Sequence, residues 1–422
     1  MNYTKKILSS GLRVVTIPEA DSLATTVLVL VEAGSKYEPK AINGLSHFLE
    51  HMCFKGTTNR PKAIDISSEL DSLGAQYNAF TGHEYTGYYA KVQARHLDKA
   101  LDIVSDLYLN PVFDENEIEK EKGVVVEEIN MYEDLPQRKV QDLIMKLMYG
   151  DQPAGWPITG PIDTVRSLKK ENFIDYRGKH YVASATTVIV SGKFDKKTIF
   201  KKIAEKFKGM SKSKKHGKVK TTNKQMKPEL LVHHKPSDQT HLVLGFRTYN
   251  TYDKRNYTLE VLAGILGGSM SSRLFQRVRE EMGAAYYVRS ANDAFTDHGY
   301  LEIGAGVDNK RAVEVISAIL DEVKKLRTTE LTASELQRVK DSMVGNIILG
   351  LETSDAKAIF YGGQEVLKKP IVNPEEYAKK LQAVTGKEIL KLAKAIFRNY
   401  NLNLAIIGPF ESKEDFAKIL TL

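Results

Sequence analysis

The order of hydrophobic and polar positions along this 422-residue chain is similar in its two halves. Each half opens with a run rich in β-branched residues, TTVLVLVEAG from Thr25 and THLVLGFRT from Thr240, and such runs predict strands. A helical region, further strands and then amphipathic helices such as ARHLDKALDIVSDLYLN follow. Each half ends with one more strand, TTVIVSG or NLNLAIIG, and a closing helix. Strands separated by turns and followed by clusters of helices predict an α+β fold rather than a doubly wound α/β fold.

Individual residues indicate that the chain contains an internal repeat. Glu117 and Ile118 correspond to Glu335 and Leu336, which lie 218 positions later. Four further pairs share a spacing of 216 residues: Gly192 with Gly408, Phe194 with Phe410, Phe200 with Phe416, and Ile203 with Ile419. We therefore predict a tandem duplication of two similar domains, each a mainly antiparallel sheet with helices packed on it.

A basic stretch marks the predicted boundary between the two domains. The chain is too long for one ordinary hydrophobic core, so two domains are expected. Residues 201–235 hold twelve lysines against two glutamates, a local balance of +10, whereas the whole chain carries +8. This stretch is poor in apolar residues and contains glycine and proline, which predicts a linker with self-repelling charge. We predict domains at 1–208 and 229–422, joined by a basic linker at 209–228.

The composition excludes several classes of partner and points to a cellular compartment. The basic stretch has no aromatic residue past Phe207, so the stacking that single-stranded nucleic acid needs is absent, and we predict no nucleic-acid partner. No apolar run reaches the roughly 18 residues of a membrane span, which predicts no membrane association. The first residues resemble a strand (Leu12 to Ile17) rather than a secretion signal. The single cysteine, Cys53, excludes intrachain disulfides and is predicted to be a buried, inert thiol, so we predict a cytoplasmic protein.

The candidate chemistry lies in the segment NGLSHFLEHMCFKG, residues 43–56. Asn43 is predicted to cap the start of a helix, and Gly56 to follow its end. At about 100° per residue, the side chains between them divide into two opposite faces. The apolar face consists of Leu45, Phe48, Leu49 and Met52, and the polar face of His47, Glu50 and His51.

The polar face has two interpretations. His47 and His51 lie one helical turn apart, so both imidazoles can reach a single ion, whereas the alternative is an ordinary solvated helix surface. Phe54 falls in the middle of the same face and favours a covered cleft. A catalytic zinc needs three protein ligands and one open position, so another residue must supply the third ligand. Glu50 diverges from His51 by about 100° and is better placed to contact a water molecule than the ion.

The pattern His47-x-x-Glu50-His51 is an inverted zincin motif, and the chain resembles the pitrilysin/insulinase family. The resemblance is to the short two-domain branch that includes mitochondrial processing peptidase and its bacterial relatives. It implies that His47 and His51 bind Zn²⁺, that Glu50 is the general base, and that a glutamate some seventy residues downstream is the third ligand.

The matching downstream segment is EKGVVVEEINMYED, which begins at Glu121. The resemblance implies that Glu128 is the third zinc ligand and that Glu121, seven positions earlier, is a second functional glutamate. Glu127 remains an alternative ligand, although it would point about 100° away. Three consecutive valines favour a strand, but the repeat and the resemblance both require a helix here.

The second half lacks these groups. The segment TLEVLAGILGGSM, which corresponds to the histidine-bearing helix, contains no histidine. Glu128 corresponds to Asn346, and Glu121 to Val339. The sequence therefore predicts one Zn²⁺ per chain, bound by the first domain.

The second half nevertheless resembles a substrate-contact signature of the same family in GGSMSSRLFQRVREEMGAAYYV. The resemblance implies that Arg279 and Tyr286 contact the substrate carbonyl, where a cation and a phenol stabilise developing negative charge. A surface ion pair for Arg279 and core packing for Tyr286 are the alternatives. In a two-domain chain the resemblance implies that these residues act on the partner subunit's site, which predicts a homodimer, with a separately encoded hetero-partner as the alternative.

The segment GAQYNAFTGHEYTGYY resembles the edge strand on which the family binds its substrate. The predicted contact residues are Asn78, Ala79, Phe80 and Thr81, and the peptide substrate is expected to bind as an added β-strand. His83 is predicted to be a turn residue and not a metal ligand.

These patterns together predict a zinc metalloendopeptidase that hydrolyses extended peptides or unfolded precursor segments. The alternative is a non-catalytic peptide-binding or structural subunit of a processing-peptidase-like complex. The complete set of predicted metal-binding residues favours the enzyme.

Overall fold

The computed structural model of the protein describes residues 2–422. The strands of the first half are β1 (Thr4–Ile7), β2 (Arg13–Pro18), β3 (Ala24–Val31), β4 (Gln76–Thr81), β5 (Thr86–Gln93) and β6 (Thr186–Gly192). Its helices are α1 (Leu45–Met52), α2 (Ala63–Ser72), α3 (Leu97–Leu109), α4 (Glu115–Asp134), α5 (Pro136–Tyr149), α6 (Ile162–Ser167), α7 (Lys170–His180) and α8 (Ile199–Lys206). The three valines of GVVVEEI lie within helix α4, as the repeat and the resemblance required.

The second half repeats this order of elements. Its strands are β7 (Glu229–His234), β8 (Gln239–Thr248), β9 (Ala285–Ala294), β10 (Gly299–Asp308) and β11 (Leu402–Gly408). Its helices are α9 (Asn256–Gly267), α10 (Ala312–Thr328), α11 (Ala333–Gly350), α12 (Ser354–Val366), α13 (Pro374–Gln382), α14 (Gly386–Ile396) and α15 (Glu414–Ile419). A π-helical turn covers Phe275–Glu281. Each helix within residues 2–422 is too short or too polar to serve as a membrane span.

The two sheets share one topology. The first has the order β1-β2-β6-β3-β5-β4, and the second has the order β7-β11-β8-β10-β9. In each sheet one pair is parallel, β2 with β6 and β7 with β11, and the remaining pairs are antiparallel. Apart from the additional edge strand β1, the strand orders correspond one to one. The predicted α+β fold with a tandem duplication is confirmed.

The chain forms two compact units that exchange helices between the halves of the sequence. Unit 1 contains residues 1–129, 157–219 and 348–375, and unit 2 contains 130–156, 220–347 and 376–422. Helix α12 therefore packs on the first sheet and α5 on the second. The domains predicted from the sequence, 1–208 and 229–422 with a linker at 209–228, do not include this exchange. The prediction assumed that each domain is one continuous stretch of the repeat.

Apolar packing explains the position of both exchanged helices. In unit 1, Ala358 and Tyr361 of α12 pack against Leu28 and Leu30 of β3. In unit 2, α5 lies so close to β8 that a Cβ atom on Gly245 would come within 2.8 Å of the sulfur of Met148. Burial of each helix on the outer face of a sheet removes apolar surface from water and so stabilises the exchange.

The predicted linker, 209–228, is irregular in structure, and two of its lysines are paired with carboxylates. Lys215 forms an ion pair with Glu32, and Lys218 lies 3.3 Å from Glu84, both within unit 1. The expectation of self-repulsion is wrong for these two lysines, because carboxylates in other parts of the sequence compensate their charge. The chain passes from unit 1 to unit 2 between Val219 and Lys220.

Candidate metal centre

Helix α1 begins one residue later than predicted, because a carboxylate from the preceding loop caps it. Gly44, and not Asn43, is the N-cap residue, with φ at +101°. The carboxylate of Glu38 accepts hydrogen bonds from the backbone N–H of Gly44 at 2.8 Å and of Ser46 at 2.6 Å, and from Asn43 Nδ2 at 2.9 Å. Burial raises the pKa of Glu38, and these hydrogen bonds oppose the rise. The prediction of Asn43 as N-cap was wrong because the capping group comes from another segment.

The C-terminal end of α1 also differs from the expectation. Cys53, and not a residue next to Gly56, caps the helix after Met52. Gly56 has φ at +145° and lies so close to the chain at Pro61 that a Cβ atom would meet the Pro61 carbonyl oxygen at 2.4 Å. Position 56 therefore requires glycine because two backbone segments approach closely there, and not because the helix ends there.

The two faces of α1 are as the sequence predicted. The apolar residues Leu45, Phe48, Leu49 and Met52 are each at most 1% exposed. On the opposite side the ring of Phe54 stacks on Tyr77 of strand β4, with 6.5 Å between the ring centroids. The polar face of α1 is therefore covered by the edge of the sheet, as Phe54 suggested, and is not an ordinary solvated surface.

Two imidazoles and one carboxylate meet in this cleft. Glu128 Oε2 lies 3.4 Å from His47 Nε2 and 3.4 Å from His51 Nε2. Within residues 2–422, these three residues form the one group of at least three His, Cys, Asp or Glu donors that lie within 4.8 Å of one another. Glu127 is exposed and outside the group. The alternative ligand that the sequence left open is thus not part of the cluster.

The donor spacing suits zinc. Zinc bonds to histidine nitrogen and carboxylate oxygen are about 2.0–2.2 Å long, so neighbouring donors of a tetrahedral site are about 3.3–3.5 Å apart. Both distances of 3.4 Å from Glu128 fall in this range. Two histidines and one glutamate are also a donor set of catalytic zinc sites, which keep a fourth position open. The residues present therefore fit a zinc ion.

Glu121 orients one of the histidines and is not itself a member of the cluster. Its Oε1 lies 2.9 Å from His51 Nδ1, and its Oε2 lies 2.5 Å from Lys55 Nζ. Burial works to raise the pKa of Glu121, but the bonds from His51 and Lys55 lower it below the usual value. Glu121 thus stays ionised and accepts a hydrogen bond from the Nδ1–H of His51. This bond orients the imidazole so that its Nε2 faces Glu128. Among residues 2–422, Nδ1 of His47 has no such hydrogen-bond partner.

The same carboxylates act on the protonation of His51 when no ion is bound. Burial alone would lower the pKa of this imidazole, but Glu121 and Glu128 raise it to about 9. An ion that binds Nε2 must therefore displace a proton at neutral pH.

Glu50 lies beside the cluster and is held by the neighbouring strand. Thr81 Oγ1 donates a 2.5 Å hydrogen bond to Glu50 Oε2. Burial raises the pKa of Glu50 above its usual value, and the bond from Thr81 opposes this rise. Glu50 is not among the three clustered donors, which agrees with its predicted contact to water rather than to the ion.

The predicted substrate-contact segment lies on an open sheet edge. Strand β4 pairs with β5 on one side and ends the sheet on the other. The four predicted residues occupy this strand: Asn78 is exposed, Ala79 is buried, and Phe80 and Thr81 are half-buried. An edge strand presents unpaired backbone groups to an incoming chain. His83 lies in the turn after β4, 2.9 Å from Ser35 Oγ through its Nδ1, and is outside the metal cluster.

In unit 2, Arg279 and Tyr286 lie side by side at the surface. The guanidinium carbon of Arg279 is 6.0 Å from the ring centroid of Tyr286 and 4.9 Å from that of Phe275. Tyr286 is 74% exposed, so it is not a core aromatic. No carboxylate within residues 2–422 lies at ion-pair distance from Arg279, so the surface ion pair is absent as well. Both residues are available to a ligand.

Other residues have the roles or environments that the sequence indicated. Cys53 is fully buried with its Sγ 3.5 Å from Tyr88 Oη, and burial raises the pKa of the thiol to about 12. Asn346, which corresponds to Glu128, is exposed on α11, and Val339, which corresponds to Glu121, is buried.

The sequence reasoning missed Glu38 and Lys55. Lys55 lies four residues after His51, a spacing that could have revealed it, whereas the sequence contains no signal for Glu38.

Comparisons with known proteins assign both halves of the chain to one family. Residues 13–162 match the family described as Insulinase (Peptidase family M16), and residues 167–343 match the Peptidase M16 inactive domain. The chain is 37% identical over 401 residues to the uncharacterized zinc protease YmxG of Bacillus subtilis, which covers 95% of this chain and 97% of the relative. It is 35% identical over 411 residues to an uncharacterized zinc protease of Rickettsia felis, with 97% and 98% covered.

The fold also occurs among solved structures. The crystal structure of a protease from Helicobacter pylori superimposes with a TM-score of 0.91 at 22% identity and covers 97% of this chain and 99% of that chain. The similarity to YmxG and to the Rickettsia felis protein extends over nearly the whole sequence and includes both halves of the duplication. The chain therefore belongs to peptidase family M16, the insulinase family, and its relatives there are named zinc proteases.

Proposed function

We propose that this protein is a zinc-dependent endopeptidase that binds one Zn²⁺ per chain and hydrolyses extended peptides or unfolded segments of proteins. The observation that carries the proposal is the cluster of His47, His51 and Glu128 beside Glu50, at the open edge of a sheet. Zinc held by these three donors supplies Lewis-acid polarisation of a carbonyl and a water molecule of lowered pKa.

Glu50 is the general base of the proposed reaction. Its carboxylate takes a proton from the attacking water and then transfers it to the nitrogen of the leaving amine, so that the C–N bond breaks and a carboxylate and an amine form. Thr81 holds one oxygen of Glu50 in place. Glu121 holds His51 in the orientation that the cluster requires.

Strand β4 is the proposed substrate-binding element. A peptide in extended conformation can pair with the free edge of β4 through backbone hydrogen bonds, which recognise the extended shape rather than the sequence. Because Thr81 lies at the end of β4 and contacts Glu50, pairing along residues 78–81 brings the peptide backbone next to the base. Folded proteins are therefore expected to be poor substrates.

We propose that Arg279 and Tyr286 stabilise the negative charge that develops on the substrate carbonyl, and that they act in trans within a homodimer. Their exposure and mutual proximity support this role.

The test of action in trans mixes an E50Q chain with a Y286F chain, each inactive or impaired by itself. In a homodimer with sites completed in trans, the mixture regains activity, because one of the two sites in each mixed dimer has both groups intact. Mixtures that stay as inactive as their components would contradict action in trans.

A direct experiment tests the enzymatic proposal itself. Zinc is measured in the purified protein by atomic absorption, and cleavage of a quenched fluorescent peptide is followed with and without a chelator. We expect one zinc per chain, and cleavage that is lost with the chelator and regained with added zinc. A protein that binds zinc and peptide but never cleaves would instead support the non-catalytic peptide-binding subunit.

A further inference from the structure

The turn that joins β4 to β5 is fixed at its tip by a neighbouring segment of unit 1. The backbone N–H of Ser35 donates to the carbonyl of Gly82 at 3.2 Å, and that of Lys36 donates to the carbonyl of His83 at 2.9 Å. Gly34 allows this approach, since a Cβ atom there would lie 2.2 Å from the Gly82 oxygen. The turn directly follows Thr81, the residue that contacts Glu50.

A buried ion network lies under the same turn. Glu84, at the tip, has a side chain that is only 3% exposed. Its Oε1 lies 3.0 Å from Nζ of Lys36, which is 1% exposed, and 3.3 Å from Nζ of Lys218, which is 12% exposed. A carboxylate removed from water in this way depends on its cationic partners, because an uncompensated buried charge is strongly unfavourable.

Lys218 reaches this network from the basic linker. It lies one residue before Val219, where the chain leaves unit 1, and three residues after Lys215, which pairs with Glu32 at the end of β3. The linker is therefore attached to unit 1 by two lysines just before the boundary. Neighbouring lysines of the same stretch, such as Lys214, are exposed.

We propose that Lys218 is a positioning residue for the peptidase site: through Glu84 it holds the β4–β5 turn, and with it the substrate-binding edge and the Thr81–Glu50 hydrogen bond. The inference rests on the proposed function, in which β4 binds the substrate and Glu50 is the base. It gives the basic linker a role in the chemistry, beyond the connection of two units. Loss of the Lys218 cation would loosen the turn, so that the substrate binds less tightly and Glu50 is less well oriented.

The experiment compares the full-length variants K218M, K218R and K214M with the unmodified zinc-loaded protein. Methionine keeps most of the lysine stem and removes the charge, arginine restores the charge, and Lys214 is an exposed lysine of the same linker. In K218M we expect backbone amides of residues 82–86 to exchange with deuterated water about tenfold faster, because the buried carboxylate of Glu84 loses the cation that lies 3.3 Å away. The thermal unfolding midpoint should fall only slightly below that of K214M, because Lys36 still lies 3.0 Å from the Glu84 carboxylate.

Kinetics of peptide cleavage provide the second readout. In K218M, KM should rise and kcat should fall, each several-fold, whereas K218R should recover most of both values and K214M should equal the unmodified protein. Unchanged amide exchange in the turn, or faster exchange with unchanged kcat and KM, would overturn the proposal. If the zinc-loaded protein cleaves no peptide at all, the proposed function fails, and amide exchange alone then decides whether Lys218 holds the turn.

Discussion

Helices α1 and α9 follow equivalent strands of the two duplicated sheets, and both pack beside an edge strand, but their surfaces differ in kind. Helix α9 packs so closely on β9 that a Cβ atom on Gly267 would meet the backbone nitrogen of Ser290 at 2.5 Å. Helix α1 instead presents Glu50, His47 and His51 toward polar partners. The two packing arrangements show that the fold itself does not need polar groups on this helix.

The polar groups of α1 are therefore best explained by chemistry. Burial raises the pKa of Glu50, which means that the folded protein disfavours the ionised form that the proposed general base requires. Clusters of perturbed titratable groups in a cleft are typical of functional sites. The second half keeps the same strand order with apolar residues in the corresponding helix, such as Leu262 and Leu266, which are fully buried.

The largest expected effect is the loss of the proposed third zinc ligand. In E128Q, the carboxylate that lies 3.4 Å from both imidazoles is replaced by an amide, so we expect loss of bound zinc and of peptide cleavage. The measurement is zinc content after dialysis together with cleavage of a quenched peptide. E127Q is the matched control, because Glu127 is exposed and adjacent in sequence. Zinc loss in E127Q with zinc retained in E128Q would reverse the assignment.

A second prediction separates metal binding from proton transfer. E50Q should keep its zinc, since Glu50 is outside the donor cluster, while kcat falls by about 10²–10⁴-fold, the usual contribution of a general base. Glutamine has nearly the same shape as glutamate and can still accept the hydrogen bond from Thr81. Zinc content and kcat are measured on one preparation. A fully active E50Q protein would remove Glu50 from the mechanism.

Sequence and structure agree to different degrees in different parts of the site. His47, Glu50 and His51 could be predicted because all three lie on one short helix, where spacing defines the face. Glu128 required the family register, because the valine-rich sequence around it favours a strand, whereas the segment lies within the 20-residue helix α4. Glu38 could not be predicted, because its role as a cap depends on the path of a loop. The exchange of α5 and α12 was missed for the same reason, since periodicity identifies an apolar face but not its partner.

A third prediction concerns pH. In the ion-free protein His51 has a pKa raised to about 9, so it carries a proton at neutral pH that zinc must displace. Zinc affinity should therefore rise with pH, by about tenfold per unit between pH 6 and 8 from this group alone, and level off above its pKa. Competition with a chelator of known affinity measures the dissociation constant at each pH. An affinity independent of pH in this range would contradict the protonation of His51.

A fourth prediction concerns the residue that orients His51. In E121Q the amide can still accept the Nδ1 proton, but the negative charge is lost, so zinc affinity should fall by about 10–100-fold. E119Q is the control, since Glu119 lies on the same helix, is 70% exposed and pairs with Lys122 at the surface. Chelator competition at fixed pH gives both affinities. Equal zinc affinities of the two variants would show that Glu121 does not support the ligand.

The smallest expected effect comes from Thr81, which links the edge strand to the base. In T81V the shape of the side chain is kept, but the 2.5 Å hydrogen bond to Glu50 is lost. Hydrogen bonds to charged groups contribute about 1.5–3 kcal/mol. This bond is only partly buried, so we take the lower end of that range and expect kcat to fall by about tenfold. KM should change little, because in the proposed function the substrate binds to backbone groups of β4, and T81S should retain most of the activity through its hydroxyl. In unit 2 the amides of Asn256 in α9 and Asn292 in β9 share a 3.5 Å hydrogen bond, which is longer and joins two neutral groups, so the bond to a carboxylate belongs to the difference between the two edges. If T81V raised KM at constant kcat, Thr81 would contact the substrate directly and the orientation of Glu50 would depend on other groups.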